Sequence, residues 1–458
     1  MGNARMGKHS SGRPRTSALS FLVRSAAALV STSLLTSGLG FLYWAAAARL
    51  YDASIVGESA TAIAAMSLLA PVAMLGLGTL LIAELPQRTE RRGELVVAAT
   101  GLSAAAGAAL ALAAALVLPE SVLGLPGIGS EWGATTLFVV GVATQVVGLV
   151  FDQALLSTKG GGLQLGRNTV FAVVKLAAVI ALAFALSSTT SLSVFASWVI
   201  GNVASFVTTV GWVARTQRVR WSRLVPRPGV LAGRGRTAAA HHALNLALST
   251  PYFAMPIVAN VTMTSQQAGY LYATWSVAAF VFVLPIALST ALFASGSKFT
   301  DEVIPQFRLS LRYSVLACLA ATVVAVLGGK YVLYVFGKDY ADAGHTALIL
   351  LAVSGLGLVV KDHHVALSRL RGRVGREARL VWTLTLLELV GATIGGLTGD
   401  IEGLATGWLL VVGLEMLVYG PMVLSAYRGR LDSGPAGESG RSASASDADL
   451  AGSPSMPS

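Results

Sequence analysis

Long stretches without charge constrain this chain more than any other feature of its sequence. Residues 135–150 and 348–360 carry no charged side chain, and residues 172–186 carry only Lys175. With their flanks, each reaches the roughly 20 apolar residues that a helix needs to cross the hydrocarbon of a bilayer. Membrane β-barrels use segments of about 10 residues that alternate apolar and polar, and nothing here alternates that way. Only 12% of the 458 residues are charged, against about 25% in a soluble domain. The sequence therefore reads as an all-α polytopic membrane protein.

Apolar periodicity places about twelve spans, at 27–48, 56–84, 95–118, 133–156, 168–187, 191–214, 239–261, 268–295, 311–328, 345–368, 379–398 and 403–425. Basic residues orient them. With the N-terminus inside, 28 of the 33 Lys and Arg fall on the inner side, three (Arg49, Lys330, Lys338) on the outer side and two (Lys175, Lys361) within spans. One missed span would invert every later loop and scramble this bias, which is the positive-inside pattern. Both termini are expected in the cytoplasm. The net charge of +11 is then a set of topology anchors beside anionic lipid, and no nucleic-acid partner is expected.

The predicted organisation is a basic disordered N-terminus (1–24), a lobe of six helices (25–214), a basic cytoplasmic linker (215–238), a second six-helix lobe (239–425) and a disordered cytoplasmic tail (426–458). The apolar stretch after the N-terminus lacks a cleavage site and reads as an uncleaved first helix. Cys318 lies alone in an apolar run, so no disulfide is expected. A repeat supports two halves. Asp152, Ser157, Gly162 and Gly166-Arg167 leave the fourth span much as Asp362, Ser368, Gly372 and Gly375-Arg376 leave the tenth. Six spans separate the copies, so they run the same way through the membrane, as a parallel pseudo-two-fold repeat.

Ionisable groups inside hydrocarbon cost roughly 2.5–3.5 kcal/mol each on insertion scales, which makes them functional candidates. They are Asp152, Lys175, Lys361, Asp362, Glu388 and Glu415, with Glu58 and Glu84 near span ends. Arg167, Phe171 and Lys175 share one helix face, and Gln145, Gly148 and Asp152 share another. This spacing admits two readings: an Asp152–Lys175 pair joining two helices, or a cationic lining that attracts an anion. Lys361 is expected at the same depth as Lys175, about 11 Å from the cytoplasmic helix end, with His363 and His364 extending its polar patch. Lys361 also has the reach to snorkel to the cytoplasm. Glu388 and Glu415 read either as neutral carboxyls packed between spans eleven and twelve or, with Glu58, as ion-coupling groups. The Asn245 amide would line a cavity or join helices. No phosphate-binding Gly-rich loop with its Lys and no His-Glu-x-x-His pair occurs. Neither catalysis, a cofactor nor a metal is expected.

Several stretches resemble the oligosaccharide flippases of the multidrug/oligosaccharidyl-lipid/polysaccharide exporter superfamily, in an actinobacterial style. They are Gly76-Leu77-Gly78 through Leu85-Pro86; Asp152 through Gly161 and on to Gly166-Arg167-Asn168 with Phe171 and Lys175; Ala268-Gly269-Tyr270 with Pro285; and Lys361-Asp362-His363-His364 followed by Arg371-Gly372-Arg373. The resemblance implies two six-helix lobes around a central cavity in a bacterial cytoplasmic membrane. It implies a polyprenyl-pyrophosphate-linked oligosaccharide as substrate, flipped outward for surface polysaccharide assembly, with polymerase or glycosyltransferases as further partners. Lys175, Lys361, Asp152, Asp362, Arg167, Asn168, His363, His364 and Asn245 are the candidate cavity residues. Two other functions stay open: a cation-coupled exporter of small drugs or metabolites, and a non-transporting scaffold for polysaccharide enzymes.

Overall fold

A computed structural model describes residues 18–85, 92–159, 161–186, 189–217 and 236–430; the terminal segments and most of the linker lie outside this set. The described residues form helices and turns with no strand. In chain order they are α1 (Ala18–Leu50), α2 (Ala53–Ala73), α3 (Leu77–Glu84), α4 (Arg92–Val117), α5 (Glu120–Leu123), α6 (Trp132–Lys159), α7 (Gly161–Ala185), α8 (Ser191–Gln217), α9 (Arg236–Thr262), α10 (Ser265–Gly296), α11 (Val303–Tyr334), α12 (Lys338–Leu370) and α13 (Val374–Tyr427). Ten are long and apolar enough to cross a membrane. α13 folds back on itself at Gly399 and Asp400 into two arms, and the more polar α9 is not among these ten.

Two of the expected spans differ locally. Residues 56–84 do not form one helix: Leu75 and Gly76 take positive φ values of 53° and 75°, and the chain restarts as α3. Pro71 offers no N–H to the Ser67 carbonyl in the last turns of α2, and Gly76 is the residue type that tolerates the left-handed backbone where the chain turns. Between spans eleven and twelve the helical geometry breaks only at Gly399 and Asp400. There the chain reverses, and the two arms of α13 lie against each other along Gly391, Gly395, Gly403 and Gly407. A Cβ on Gly391 would lie 2.8 Å from the Gly407 carbonyl oxygen, and one on Gly395 would fall inside the Gly403 carbonyl. Small residues four apart on each arm let two backbones touch in lipid, where dispersion and not water drives packing.

Each half has its own core. Leu95, Ala99, Phe138, Val142, Val146 and Phe195 pack in the first, and Leu271, Trp275, Leu348, Leu351, Trp408 and Val412 in the second. Leu116, Val207, Leu327, Leu410 and Leu417 point outward, exposed. In water such a surface would aggregate; in a bilayer it faces acyl chains. Exposed Trp132, Tyr331 and Tyr334 sit at the ends of α6 and α11, where amphipathic rings prefer the headgroup region.

The halves meet tightly at the end that the charge bias assigns to the outside. Gly57 of α2 and Gly269 of α10 approach so closely that a Cβ on either would strike backbone: Ser265 in one case, Ala53 in the other. Arg49 donates to the carbonyls of Tyr334 (2.6 Å) and Val335 (2.9 Å) at the end of α11. Phe336 and Tyr340, from the corner between α11 and α12, are buried in the first half's core. α1 belongs to neither half alone. Its Leu22 and Ala26 pack with Leu288, Leu292 and Phe307 of the second half, whereas Tyr43, Trp44 and Ala47 join the core of the first.

Candidate functional site

Among the described residues, three Lys and Arg side chains are buried: Arg167, Lys175 and Lys361. A buried charge without a partner is costly, so how each is compensated separates structure from function.

Arg167 is compensated by Asp152. The guanidinium Nε donates to Oδ1 and Nη2 to Oδ2, both at 2.6 Å, a planar two-pronged pair. Nη2 also donates to Asn168 Oδ1 (2.8 Å), and Nη1 to Ser205 Oγ on α8 (3.3 Å). Gly148 makes room, since a Cβ there would stand 3.1 Å from Nη1. Nearby, Asn202 donates to Gln145 Oε1 (2.9 Å). The pair therefore ties α6, α7 and α8 together. This corrects the helix-joining reading of Asp152: its partner is Arg167, expected in the cytoplasmic loop, and not Lys175. The physical reason is the start of α7. The helix begins at Gly161, not 168, which carries Arg167 into the bundle.

The same extension moves Lys175. It lies fourteen residues from the start of α7, roughly 21 Å along the helix at 1.5 Å per residue, about twice the expected distance from that end. Its ammonium has no carboxylate partner among the described residues. It sits instead over the rings of Trp198 (3.5 Å to the centroid), Phe171 (4.7 Å) and Tyr43 (4.8 Å). Gly201 permits this, because a Cβ there would come within 2.9 Å of the Lys175 Cβ. Tyr43 is held by its hydroxyl against Ser197 Oγ (2.9 Å). The Trp198 indole N–H is buried without a hydrogen-bond acceptor. A ring face attracts a cation by its quadrupole, worth about 2 kcal/mol when desolvated, but it delivers no neutralising charge. The α7–α8–α1 site thus holds two buried donors with no anion.

Lys361, expected to be Lys175's equal, is its opposite. It contacts Glu388 Oε1 at 2.5 Å and Glu415 Oε2 at 3.0 Å, one from each arm of α13, and Trp408 Nε1 donates to Glu388 Oε2 at 2.6 Å. The hairpin of α13 sets this geometry by bringing one glutamate from each arm within reach of the same ammonium. Lys361 neither snorkels nor stands free for an anion. The pairing of Glu388 and Glu415 with a lysine replaces their expected isolation.

The remaining candidates disperse. His363 bonds to Ser310 Oγ and the Val359 carbonyl, both at 2.8 Å. His364 meets Glu377 and Ser368 at 3.2 Å and tilts against Tyr419. Asn245 accepts from Arg369 Nη2 (2.7 Å) near the surface. Asp362 is half-buried and outside every ion pair of the described residues, and Glu58 is half-buried at the start of α2. Sequence reasoning does not single out Trp198, Tyr43 or Trp408, although a signal is there: a tryptophan deep inside an apolar span, away from the interfacial belt, needs a reason to be there.

Fold and buried charges define the class: a multi-pass helical membrane protein whose halves meet across a seal, with an uncompensated cation in one of them. No family model matches the sequence, and no curated protein matches it. Solved structures do resemble it. An inward-facing multidrug resistance MATE family transporter of the MOP superfamily matches with a TM-score of 0.62 at 14% identity, over 88% of this chain and 99% of that one. An outward-facing MATE family transporter matches at 0.61 and 14%, over 91% and 97%. A MOP superfamily transporter from Pyrococcus furiosus, described as having a binding pocket of reversed polarity that suggests a different function, matches at 0.61 and 13%, over 89% and 96%. The chain has the MATE-type transporter fold.

Proposed function

We propose that this protein moves a phosphate-bearing, lipid-linked glycan across a bacterial cytoplasmic membrane by alternating access between its two lobes, with both termini in the cytoplasm. The observation that supports this reading is Lys175. Its ammonium is buried in the first lobe, beside an orphaned Trp198 indole N–H, with aromatic rings in place of a counter-ion. Phosphate oxygens would supply both the missing charge and the missing acceptor, and the rings would flank a sugar or prenyl chain. Arg167 and Asp152 hold the helices that carry this site. Lys361 is neutralised by its own glutamates and takes no part in binding the anion.

The test is flipping of a fluorescent polyprenyl-pyrophosphate disaccharide in vesicles reconstituted with purified protein. Truncating one partner of a buried charge contact costs about 2 kcal/mol or more, so Lys175→Gln should slow flipping at least about thirtyfold. A Lys175→Gln protein that flips at the wild-type rate would refute this reading. One observation favours the other transport reading: two carboxylates share the single Lys361 ammonium, as an ion-coupled exporter would use. Small cationic dye efflux that collapses in Glu415→Gln, with Lys175→Gln unaffected, would select it.

A further inference from the structure

Trp198 does more than cap Lys175. Its ring stands 6.5 Å from that of Trp44 and 5.6 Å from that of Tyr43, both on α1. Trp44 in turn packs edge-on against Tyr272 of α10, centroids 4.4 Å apart at 61°. Trp44 is buried, and it touches a first-half ring on one side and a second-half ring on the other. α10 is also the helix whose Gly269, one turn earlier, abuts α2 in the outer seal. A continuous chain of aromatic contacts thus runs from the Lys175 ammonium to the surface where the halves separate.

We propose that Trp44 and Tyr272 are positioning residues that report occupancy of the Lys175 site to the outer seal; this rests on Lys175 binding an anion. The physical argument is competition for one ammonium. Over Trp198 at 3.5 Å, Nζ holds the indole face in place through the ring quadrupole. An anion draws Nζ toward its own oxygens, because a charge pair in a low-dielectric site outweighs a ring contact. Trp198 then loses the contact that fixes it, and Trp44 loses the ring it wedges against. The edge contact with Tyr272 depends on the angle of Trp44, so the seal weakens when the site fills. Such a link opens the outer side only for a loaded protein, which is what one-way export requires. A ligand shifts a two-state equilibrium only by the difference in its affinity for the two states, and this chain gives that difference a route.

The experiment uses the full chain in nanodiscs, with Cys318→Ala and spin labels at Ser130→Cys and Glu402→Cys, two exposed positions at the outer end of opposite halves. Inorganic pyrophosphate is the probe. Its binding is measured by retention of the radiolabelled ion, and opening by the inter-label distance. In the otherwise unaltered protein, pyrophosphate should bind and lengthen the distance. In Trp44→Leu and in Tyr272→Leu, binding should stay within about threefold of that protein while most of the lengthening is lost, and Trp44→Phe should restore it. Full lengthening in both leucine variants, or binding with no lengthening in the unaltered protein, would overturn the link and leave the anion site standing. Failure of pyrophosphate to bind, or equal binding in Lys175→Gln, would overturn the site itself and the link with it. Tyr272 belongs to the other lobe and lies one ring removed from the Trp198 that covers Lys175, so unchanged binding in both leucine variants argues that the site still folds.

Discussion

Arg167 closes on Asp152 with both prongs of its guanidinium, Nε on Oδ1 and Nη2 on Oδ2, each at 2.6 Å in the buried heart of the first lobe. Removing one partner strands the other. Asp152→Ala should destabilise the protein by about 3–5 kcal/mol, whereas Asp152→Ala with Arg167→Met should recover most of that loss. Thermal unfolding in detergent checks both. Equal losses in the single and double variants would mean that the pair carries no more than its own packing.

The second lobe makes a contrasting prediction. Lys361→Met leaves Glu388 and Glu415 facing one another without a cation and should cost about 3 kcal/mol or more. Glu415→Gln leaves one ammonium with one carboxylate, still held by Trp408, and should cost much less. A urea or thermal series that reverses this order would show that Glu415, not Glu388, is the main partner.

At the outer seal, Gly57→Leu places a side chain where Ser265 backbone stands. Overpacking of this kind costs about 1–3 kcal/mol, and here it falls on the closed arrangement alone. Labelling of Ser54→Cys by a membrane-impermeant maleimide should therefore quicken by about tenfold, the shift that 1.4 kcal/mol gives an opening equilibrium. An unchanged labelling rate would place the seal elsewhere.

The hairpin of α13 offers a fourth check. Gly395→Leu cannot be accommodated against Gly403, so the two arms must part, taking Glu388 and Glu415 from one another. Folded yield should fall steeply. Gly413→Leu, on the same helix with open space around it, should express normally. Comparable yields of the two variants would refute the glycine contact.

Much of this architecture is legible in the sequence. Apolar length sets the helices because a bilayer offers no other partner for backbone N–H and C=O groups, and the ten helices long and apolar enough to cross a membrane follow from it. The rarity of ions in hydrocarbon makes Asp152, Lys175, Lys361, Glu388 and Glu415 stand out by residue type and position alone. What spacing along one helix cannot supply is partnership. Lys175 and Lys361 look alike as isolated lysines in apolar runs. They differ because the α13 hairpin swings two glutamates to one, while α7, starting seven residues early, lifts the other past Asp152 and into a ring of aromatics.

Sequence alone therefore determined the solvent this protein lives in and the side chains that must be accounted for there, since both follow from the transfer of each residue out of water. Only the tertiary structure decided which buried charge meets a carboxylate and which is surrounded by aromatic rings. That depends on contacts between one helix and the next, Asp152 of α6 with Arg167 of α7 and Lys361 of α12 with Glu388 and Glu415 of α13, which spacing along a single helix does not reveal.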